Sequence, residues 1–269
     1  MKKVFYGFAI ILCTTMLTAC STSSDSTSKN DTKNSATSSQ SVAKTDAQTV
    51  LDFMYKGNIS GFSDVSSDSA SSVKSYLLDH LEKKQIDAML ANGNIDTYKL
   101  VVDGSDYSAQ EIVSDYAEAY YKQIASISDA TVKSVSLSGD SAKITATLTP
   151  IAALSEANPI GSARTELLGG IDNDTIVRES GNKDVKTIQK LITLKLYGLY
   201  YGQMGKTAAK ADKPVDITFT LKKEGSHFIA DKDTMLQLAK ESRAQVYADG
   251  DSDSDDNSDI AESSNNGNV

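Results

Sequence analysis

Few side chains in this chain are of the types that carry out catalysis. The two histidines, His80 and His227, stand in no spacing typical of a metal site or of a nucleophile and its base. No Gly-x-Ser-x-Gly segment is present, so the nucleophile turn of an α/β-hydrolase is absent. The sequence therefore predicts two surface histidines, no catalytic residue of these kinds and no cofactor.

Carboxylates offer a second route to chemistry. Residues 160–183 form a long connection rich in Gly, Asn and Asp that contains Glu166, Asp172, Asp174 and Glu179. Two carboxyl groups about 5–9.5 Å apart can cleave a glycosidic bond. Connections this long are usually functional or mobile, but acids within them are more often simply solvated. A carboxylate-dependent hydrolase of the cell envelope is thus an alternative that spacing alone does not decide.

The acidic C-terminal tail contains the one metal-like pattern. Five acids match positions 1, 3, 5, 9 and 12 of a calcium-binding loop: Asp251, Asp253, Asp255, Asp259 and Glu262. Position 6, which should be Gly for the sharp turn, is Asp256, and position 8 is Ser258 where an apolar residue is usual. Because any Asp-rich tract matches alternate positions easily, we predict a solvated tail and no specific metal site.

Tyrosines form the richest aromatic group. Stacked tyrosines can line a groove for a glycan or peptide, but more often they are core rings whose hydroxyls reach the surface. We expect core positions for most of the six that cluster in sequence: Tyr116, Tyr120, Tyr121, Tyr197, Tyr200 and Tyr201.

Charge is distributed unevenly along the 269 residues. The formal net charge is −9, of which residues 249–269 contribute −7 and residues 46–248 contribute −5, while the N-terminal 45 residues are positive. A mildly acidic body offers no electrostatic footprint for nucleic acid. We therefore expect no nucleic-acid partner.

The N-terminus has the order of a secretory signal. Lys2 and Lys3 precede an apolar run from Val4 to Leu17. The run is about 14 residues long, short of the roughly 20 that span a bilayer, which disfavours a retained transmembrane helix. Cleavage after residue 19 would remove Cys13 with the signal and leave Cys20 as the mature chain's single cysteine. No disulfide could then form within it.

Leu17-Thr18-Ala19-Cys20 resembles the lipobox of bacterial lipoproteins. The resemblance implies that residues 1–19 are the signal peptide and that the Cys20 thiol carries a diacylglycerol with palmitate-type chains. Two acyl chains suffice for stable anchoring. The implied location is the extracytoplasmic face of the cell membrane, with the lipid on Cys20 as the contact.

Composition divides the rest of the chain into three parts. Residues 20–45 are mostly Ser, Thr, Asn, Asp, Lys and Ala, which predicts a disordered tether after the lipidated cysteine. Residues 46–248 have the periodic apolar patterns of one folded domain, and residues 249–269 are a low-complexity acidic tail that we also expect to be disordered.

Helical patterns begin each part of the domain. Thr45 and Gln48 have capping-box spacing before a helix that should end at Gly57, and Ser108 with Glu111 form a clearer box. Further helices are expected over 71–90 and 185–204, with a last one capped by Asp231.

Strand patterns come in pairs. Ala142 to Leu148 alternates strictly between apolar and polar residues, and the turn at 138–141 joins it to an earlier strand over 131–137. Residues 215–221 alternate in the same way and turn into a short strand over 227–230. The prediction is an α+β fold with an antiparallel sheet of about four or more strands and helices on one face.

One local pattern occurs twice. Tyr120-Tyr121-Lys122-Gln123-Ile124 and Tyr200-Tyr201-Gly202-Gln203-Met204 each end a long helix, and each is followed by a strand pair. This similarity predicts two helix–strand–strand half-units that share one sheet.

The combination of lipobox, Ser-rich segment and helix-first domain with paired strands resembles Gram-positive lipoproteins of unknown function. Their extracytoplasmic domains are cystatin-like or nuclear-transport-factor-like, and many carry an aromatic residue, often Trp, late in the hairpin that corresponds to Val215–Asp231. Phe228 stands there in this chain, which has no Trp. The resemblance implies a curved sheet around a helix, able to form a pocket, and it transfers no catalytic residue.

These features favour a non-enzymatic function. We expect a membrane-anchored binding or interaction module at the cell envelope, with a small ligand or an envelope protein as its partner. The solute receptor of a transporter is disfavoured because the alternating βαβ pattern of such receptors is missing.

Overall fold

The structure is a computed structural model that describes residues 31–89, 95–127, 129–152, 164–165, 168–181 and 184–243. The predicted signal peptide, Cys20, Glu166 and the acidic tail, including its five calcium-loop-like acids, lie outside these ranges. None of the helices in the described ranges is both long and apolar enough to cross a membrane.

Seven α-helices and six strands make up the described part of the chain. The helices are α1 (Asp31–Lys56), α2 (Phe62–Val65), α3 (Ala70–Met89), α4 (Ala109–Ile124), α5 (Asn173–Glu179), α6 (Val185–Tyr197) and α7 (Lys232–Glu241). The strands are β1 (Lys99–Val102), β2 (Ser105–Ser108), β3 (Thr131–Ser138), β4 (Ser141–Leu148), β5 (Val215–Glu224) and β6 (His227–Ile229). A π-helix, Gly198–Gln203, continues α6 directly.

The main sheet is an antiparallel meander in the order β3-β4-β5-β6. Along one rung, Val135 pairs with Ile144 and Ile144 pairs with Phe219, and all three side chains are buried. The neighbouring residues of β4 and β5, such as Lys143 and Thr220, point to the opposite, polar face because side chains alternate along a strand. The predicted α+β class, with helices on one face of an antiparallel sheet, is confirmed.

Helix α1 crosses the buried face of the sheet from β3 to β6. Its Gln48 side chain reaches the outer edge of β3, where it accepts from Val132 N at 3.1 Å and donates to Ala130 O at 3.1 Å. At the other side, the buried Asp46 carboxylate accepts from Phe228 N at 2.7 Å. One helix thus satisfies edge groups of both outer strands.

The start of α1 corrects two predictions. A disordered tether does not extend to residue 45, because the helix begins at Asp31 and Ala43 within it is fully buried. Thr45 and Gln48 do not form a capping box, since they lie inside the helix and Thr45 Oγ1 donates to Ser41 O instead. The predicted end at Gly57 is confirmed: α1 stops at Lys56, and Gly57 has a left-handed φ of 64°.

The two half-units predicted from the Tyr-Tyr pattern contribute adjacent strand pairs to one sheet, joined by the pairing of β4 with β5. Their long helices, α4 and α6 with its π-helical continuation, pack against each other. The main helix contacts with the sheet are made by α1 and α7. The pair formed by α4 and α6 therefore lies further from the strands of this sheet.

A small hairpin precedes α4. Its strands β1 and β2 pair through a turn at Asp103 and Gly104 with φ of 50° and 72°. The hydrogen bond from the backbone to the N-cap side chain in the predicted capping box of α4 is confirmed: Ser108 Oγ accepts from Glu111 N at 3.2 Å.

Candidate functional site

A cleft of about 410 Å³ opens where α3, α4 and the π-helix meet. Its size suits a small ligand. The cleft is lined by Lys74, Asp115, Glu118, Ala119, Tyr121, Lys122, Ala125, Gly198, Gly202 and Gln203.

Small residues on the two crossing helices leave the space for the cleft. A Cβ atom added at Gly202 would lie 3.5 Å from Ala119 Cβ, and one added at Gly198 would lie 3.4 Å from Asp115 Cβ. The helices therefore approach closely at the floor, and nothing larger than a methyl group projects from Gly198, Gly202 or Ala119. If larger residues stood at these positions, their side chains would fill the space at the crossing, because protein interiors are closely packed.

The π-helix changes which residues face this crossing. Met204 N donates to Leu199 O at 2.8 Å, a bond across five residues that is characteristic of π geometry. Single π turns inside α-helices are frequent at functional sites. Here the π turn begins at Gly198 and ends at Gln203, both of which line the cleft.

Two ion pairs flank the floor of the cleft. Lys74 Nζ on α3 lies 3.0 Å from Glu118 Oε2 on α4 and 5.5 Å from the centre of the Tyr121 ring. Lys195 on α6 is buried, with its Nζ 3.8 Å from Asp115 Oδ2 and 4.0 Å from the centre of the Tyr107 ring. Both carboxylates stay open to solvent on one side, because their side chains are 43% and 51% exposed, for Asp115 and Glu118 respectively.

Tyr121 supplies a hydrogen-bonding aromatic ring to the same wall. Burial, and next the neighbouring Glu118 carboxylate, raises the pKa of the Tyr121 phenol. The hydroxyl group therefore remains protonated at neutral pH and able to donate.

Most of the predicted tyrosine cluster is core, as expected. Tyr116, Tyr120, Tyr197 and Tyr201 are buried, and the rings of Tyr197 and Tyr201 stack with centres 6.0 Å apart. The alternative, a tyrosine-lined groove, applies to Tyr121 alone among the six, since it is the member that lines the cleft.

Neither histidine joins the cleft. His80 is exposed and its Nδ1 lies 3.0 Å from Tyr76 O, which agrees with the prediction of a surface residue. His227 is partly exposed, and its Nδ1 lies 3.1 Å from the buried Asp46 Oδ1. Within the described ranges, no three His, Cys, Asp or Glu side chains are grouped so that they could hold a metal ion.

Of the loop carboxylates, the three in the described ranges, Asp172, Asp174 and Glu179, do not line the cleft. Asp172 caps α5 by accepting from Thr175 N at 2.8 Å and Thr175 Oγ1 at 3.0 Å. These hydrogen bonds lower the pKa of the Asp172 carboxyl, so it is held ionised and is unsuited to act as a general acid. Asp174 lies in the first turn of α5 and Glu179 is its last residue.

Sequence reasoning missed the cleft, although signals for it were present. Asp115, Glu118 and Lys122 are spaced three and four residues apart, which places them on one face of a helix. Gly198 and Gly202 interrupt the most apolar helical pattern of the chain, where an isolated glycine usually has a packing or functional reason.

No family model matches the chain, and no curated protein matches it either. A solved structure with some likeness is described as a lipoprotein, ycdA, from Bacillus subtilis subsp. subtilis str. 168. The TM-score is 0.49 at 13% sequence identity, and the likeness covers 81% of this chain and 60% of that protein. The cystatin-like or nuclear-transport-factor-like type of domain stays a prediction, and a likeness this slight carries no argument about function.

Proposed function

We propose that the protein is a lipid-anchored binding module on the extracytoplasmic face of the cell membrane, and that it takes a small ligand in the cleft between α3, α4 and the π-helix. The observation that carries the proposal is the cleft itself: about 410 Å³, walled by charged groups and one aromatic ring and floored by glycine and alanine. Concave sites with a few converging polar groups are the usual form of ligand sites.

The anchor is Cys20 with its lipid. Ten residues separate Cys20 from Asp31, where α1 begins. A chain of ten residues spans at most about 35 Å. The start of α1 is therefore held within about that distance of the lipid anchor, closer than the start of a helix after a tether reaching to residue 45 would be.

Binding without catalysis is favoured by the groups that line the cleft. The described lining contains no His, Cys or Ser, and each of its two carboxylates already faces a lysine, Asp115 with Lys195 and Glu118 with Lys74. Both carboxylates are therefore already engaged in ion pairs that hold charge in the cleft, which suits recognition of a charged ligand.

Thermal unfolding of the full chain in detergent, with and without wall fragments, peptides and metabolites, tests this proposal. A ligand at a hundred times its dissociation constant should stabilise the fold by about 2.7 kcal/mol, a shift of roughly 5–10 °C for a domain of this size.

A matched pair of variants locates the binding. Gly202→Leu should abolish the shift by filling the cleft, whereas Gly202→Ala adds one methyl group in ordinary contact with Ala119 and should keep most of it. If a ligand shifts the wild type and Gly202→Leu equally, with both variants folded, the cleft is not its site. If no compound on the panel shifts the wild type, small-ligand binding fails, and a protein partner takes its place.

A further inference from the structure

The order of charges along the cleft points to its ligand class. We infer that the cleft binds a short zwitterionic peptide with small side chains, its ammonium group beside Asp115 and Glu118 and its terminal carboxylate beside Lys122. This inference rests on the proposed function, because it names the ligand of the same cleft.

Spacing along α4 sets the length of the ligand. An α-helix rises 1.5 Å per residue, so Lys122 lies about 6 Å along the axis from Glu118 and about 10 Å from Asp115. An extended peptide covers roughly 3.3–3.6 Å per residue. A chain of two or three residues parallel to α4 therefore brings its two ends to the two ends of the charged row.

The charged groups at both ends of the row on α4 are exposed enough to form an ion pair with a ligand. Lys195 approaches Asp115 from the buried side at 3.8 Å, longer than a hydrogen-bonded ion pair, and the carboxylate remains partly exposed. Glu118 is about half exposed despite its contact with Lys74. At the opposite end, the exposed Lys122 has no acidic partner within the described part of the chain and lines the cleft.

The floor restricts the side chains of the ligand. Gly198, Gly202 and Ala119 present backbone and methyl surface, so an extended peptide can lie close to them only where its own side chains are small. The protonated phenol of Tyr121 is available as a donor to a peptide carbonyl group on the wall of the cleft. Tri-alanine combines these properties and is the probe of choice.

Calorimetric titration of the full chain in detergent at low salt compares tri-alanine with its N-acetylated and its C-amidated forms. Each blocked end should weaken binding about five-fold, the upper range for a solvent-exposed ion pair. Added salt should weaken the free peptide most, since it carries both charges.

Two variants assign the ends. Glu118→Gln should weaken tri-alanine but leave the N-acetylated peptide nearly unchanged, and Lys122→Gln should weaken tri-alanine but not the C-amidated peptide. Lys143→Gln, which removes one charge from the open face of the sheet, is the matched control and should change none of these affinities.

The outcomes separate this inference from the proposal beneath it. Equal binding of the free and blocked peptides, or no peptide binding while another compound gives a shift that Gly202→Leu removes, would overturn the zwitterion assignment and leave the binding module standing. If neither a peptide nor any other compound binds in the cleft, both proposals fail.

Discussion

The two Tyr-Tyr segments of the chain have similar residues but opposite roles. In the first, Tyr120 and Gln123 are buried and Tyr121 is half-buried. In the second, Tyr201 is buried, Tyr200 is half-buried and Gln203 is exposed. The buried position has moved by one residue between two patterns that match letter for letter at the tyrosines and the glutamine.

The π-helix accounts for this shift. A π turn adds one residue to a helical turn, so every side chain after it is rotated by about 100° relative to an uninterrupted α-helix. The first segment lies in α4, which is α-helical throughout, while Tyr200 to Gln203 of the second lie within the π-helix Gly198–Gln203. Because of this one added residue, Gln203 lines the cleft whereas the corresponding Gln123 is in the core. Two segments with similar sequences therefore make different contacts.

The largest expected difference between the two segments is in stability. Gln123 fastens the chain that follows the π-helix: its Oε1 accepts from Ala208 N at 2.8 Å and its Nε2 donates to Lys206 O at 3.2 Å. Gln123→Ala leaves the buried Ala208 amide without its partner and should lower the free energy of unfolding by about 2–3 kcal/mol. Gln203→Ala should change it by less than about 0.5 kcal/mol.

Urea denaturation of both variants measures these effects from the midpoint at constant slope. Similar losses for Gln123→Ala and Gln203→Ala would contradict the one-residue shift.

A branched side chain at one glycine of the π-helix and a single methyl group at the other should change stability in opposite directions. A Cβ atom at Gly198 lies 3.4–3.5 Å from Asp115 and from the backbone nitrogen of Tyr116, so the extra methyl groups of Gly198→Val must push α4 away, at a cost of about 1–3 kcal/mol. Gly202→Ala meets only Ala119 at 3.5 Å and should gain about 0.5–1 kcal/mol from reduced chain entropy. Calorimetric melting of both variants checks the signs, and stabilisation by Gly198→Val would show that the helices are not packed closely there.

Burial in the second segment should also be visible at high pH. Burial, and next the adjacent Tyr200, raises the pKa of Tyr201 to about 12, above the value of 10.0 for an unperturbed phenol. The folded state therefore holds this proton where the unfolded state has lost it. The stability linked to Tyr201 is complete below pH 10 and declines as the pH rises towards 12.

Denaturation at pH 9 and pH 11 should show a smaller loss of stability for Tyr201→Phe than for the wild type. An identical loss in the two proteins would mean that Tyr201 is not buried in its protonated form. The comparison must be made with the other tyrosines intact, because burial also raises the pKa values of Tyr55 and Tyr121.

Sequence periodicity was sufficient for the elements that bury one face. The strict alternation of Ala142–Leu148 predicted β4, and the turn at Gly139 predicted its partner β3, because a strand with one buried face alternates between apolar and polar residues. The capping box located the start of α4 equally well, and Ile112, Tyr116 and Ile124 of this helix are all in the core.

Sequence periodicity failed where contacts between residues distant in the chain determine the local structure. The first turns of α1 contain Ser, Thr, Asn and Asp, which are poor helix formers, yet Gln40 donates to Val135 O on the edge of β3 and anchors that end of the helix. The π turn is another such case: Val185–Met204 was predicted as one helix, and the hydrogen bond from Met204 N to Leu199 O shows where its register changes. The cleft is lined by residues of this π turn as well as by Asp115, Glu118 and Lys122, so the spacing of those three charged residues marked one face of α4 without locating the cleft.

The smallest expected difference between the half-units is at the start of their helices. The N-cap of α4 is the neutral Ser108, whereas the N-cap of α6 is Asp184, which accepts from Thr187 Oγ1 at 2.7 Å and Lys186 N at 3.1 Å. The bond from the Thr187 hydroxyl is the main cause that lowers the pKa of Asp184. Substitution of either cap by Ala should cost about 1 kcal/mol at pH 7.

Of the two caps, only Asp184 should make a contribution to stability that depends on pH. Because its folded pKa lies below the unfolded value, its contribution is present above about pH 4 and is lost as the pH falls through the folded pKa. Denaturation at pH 7 and pH 3 should therefore show the cost of Asp184→Ala shrinking in acid while that of Ser108→Ala stays constant. Equal pH dependence of the two variants would mean that the Asp184 carboxylate does not hold the first turn of α6 in its ionised form, and that the two helices begin in the same way despite their different caps.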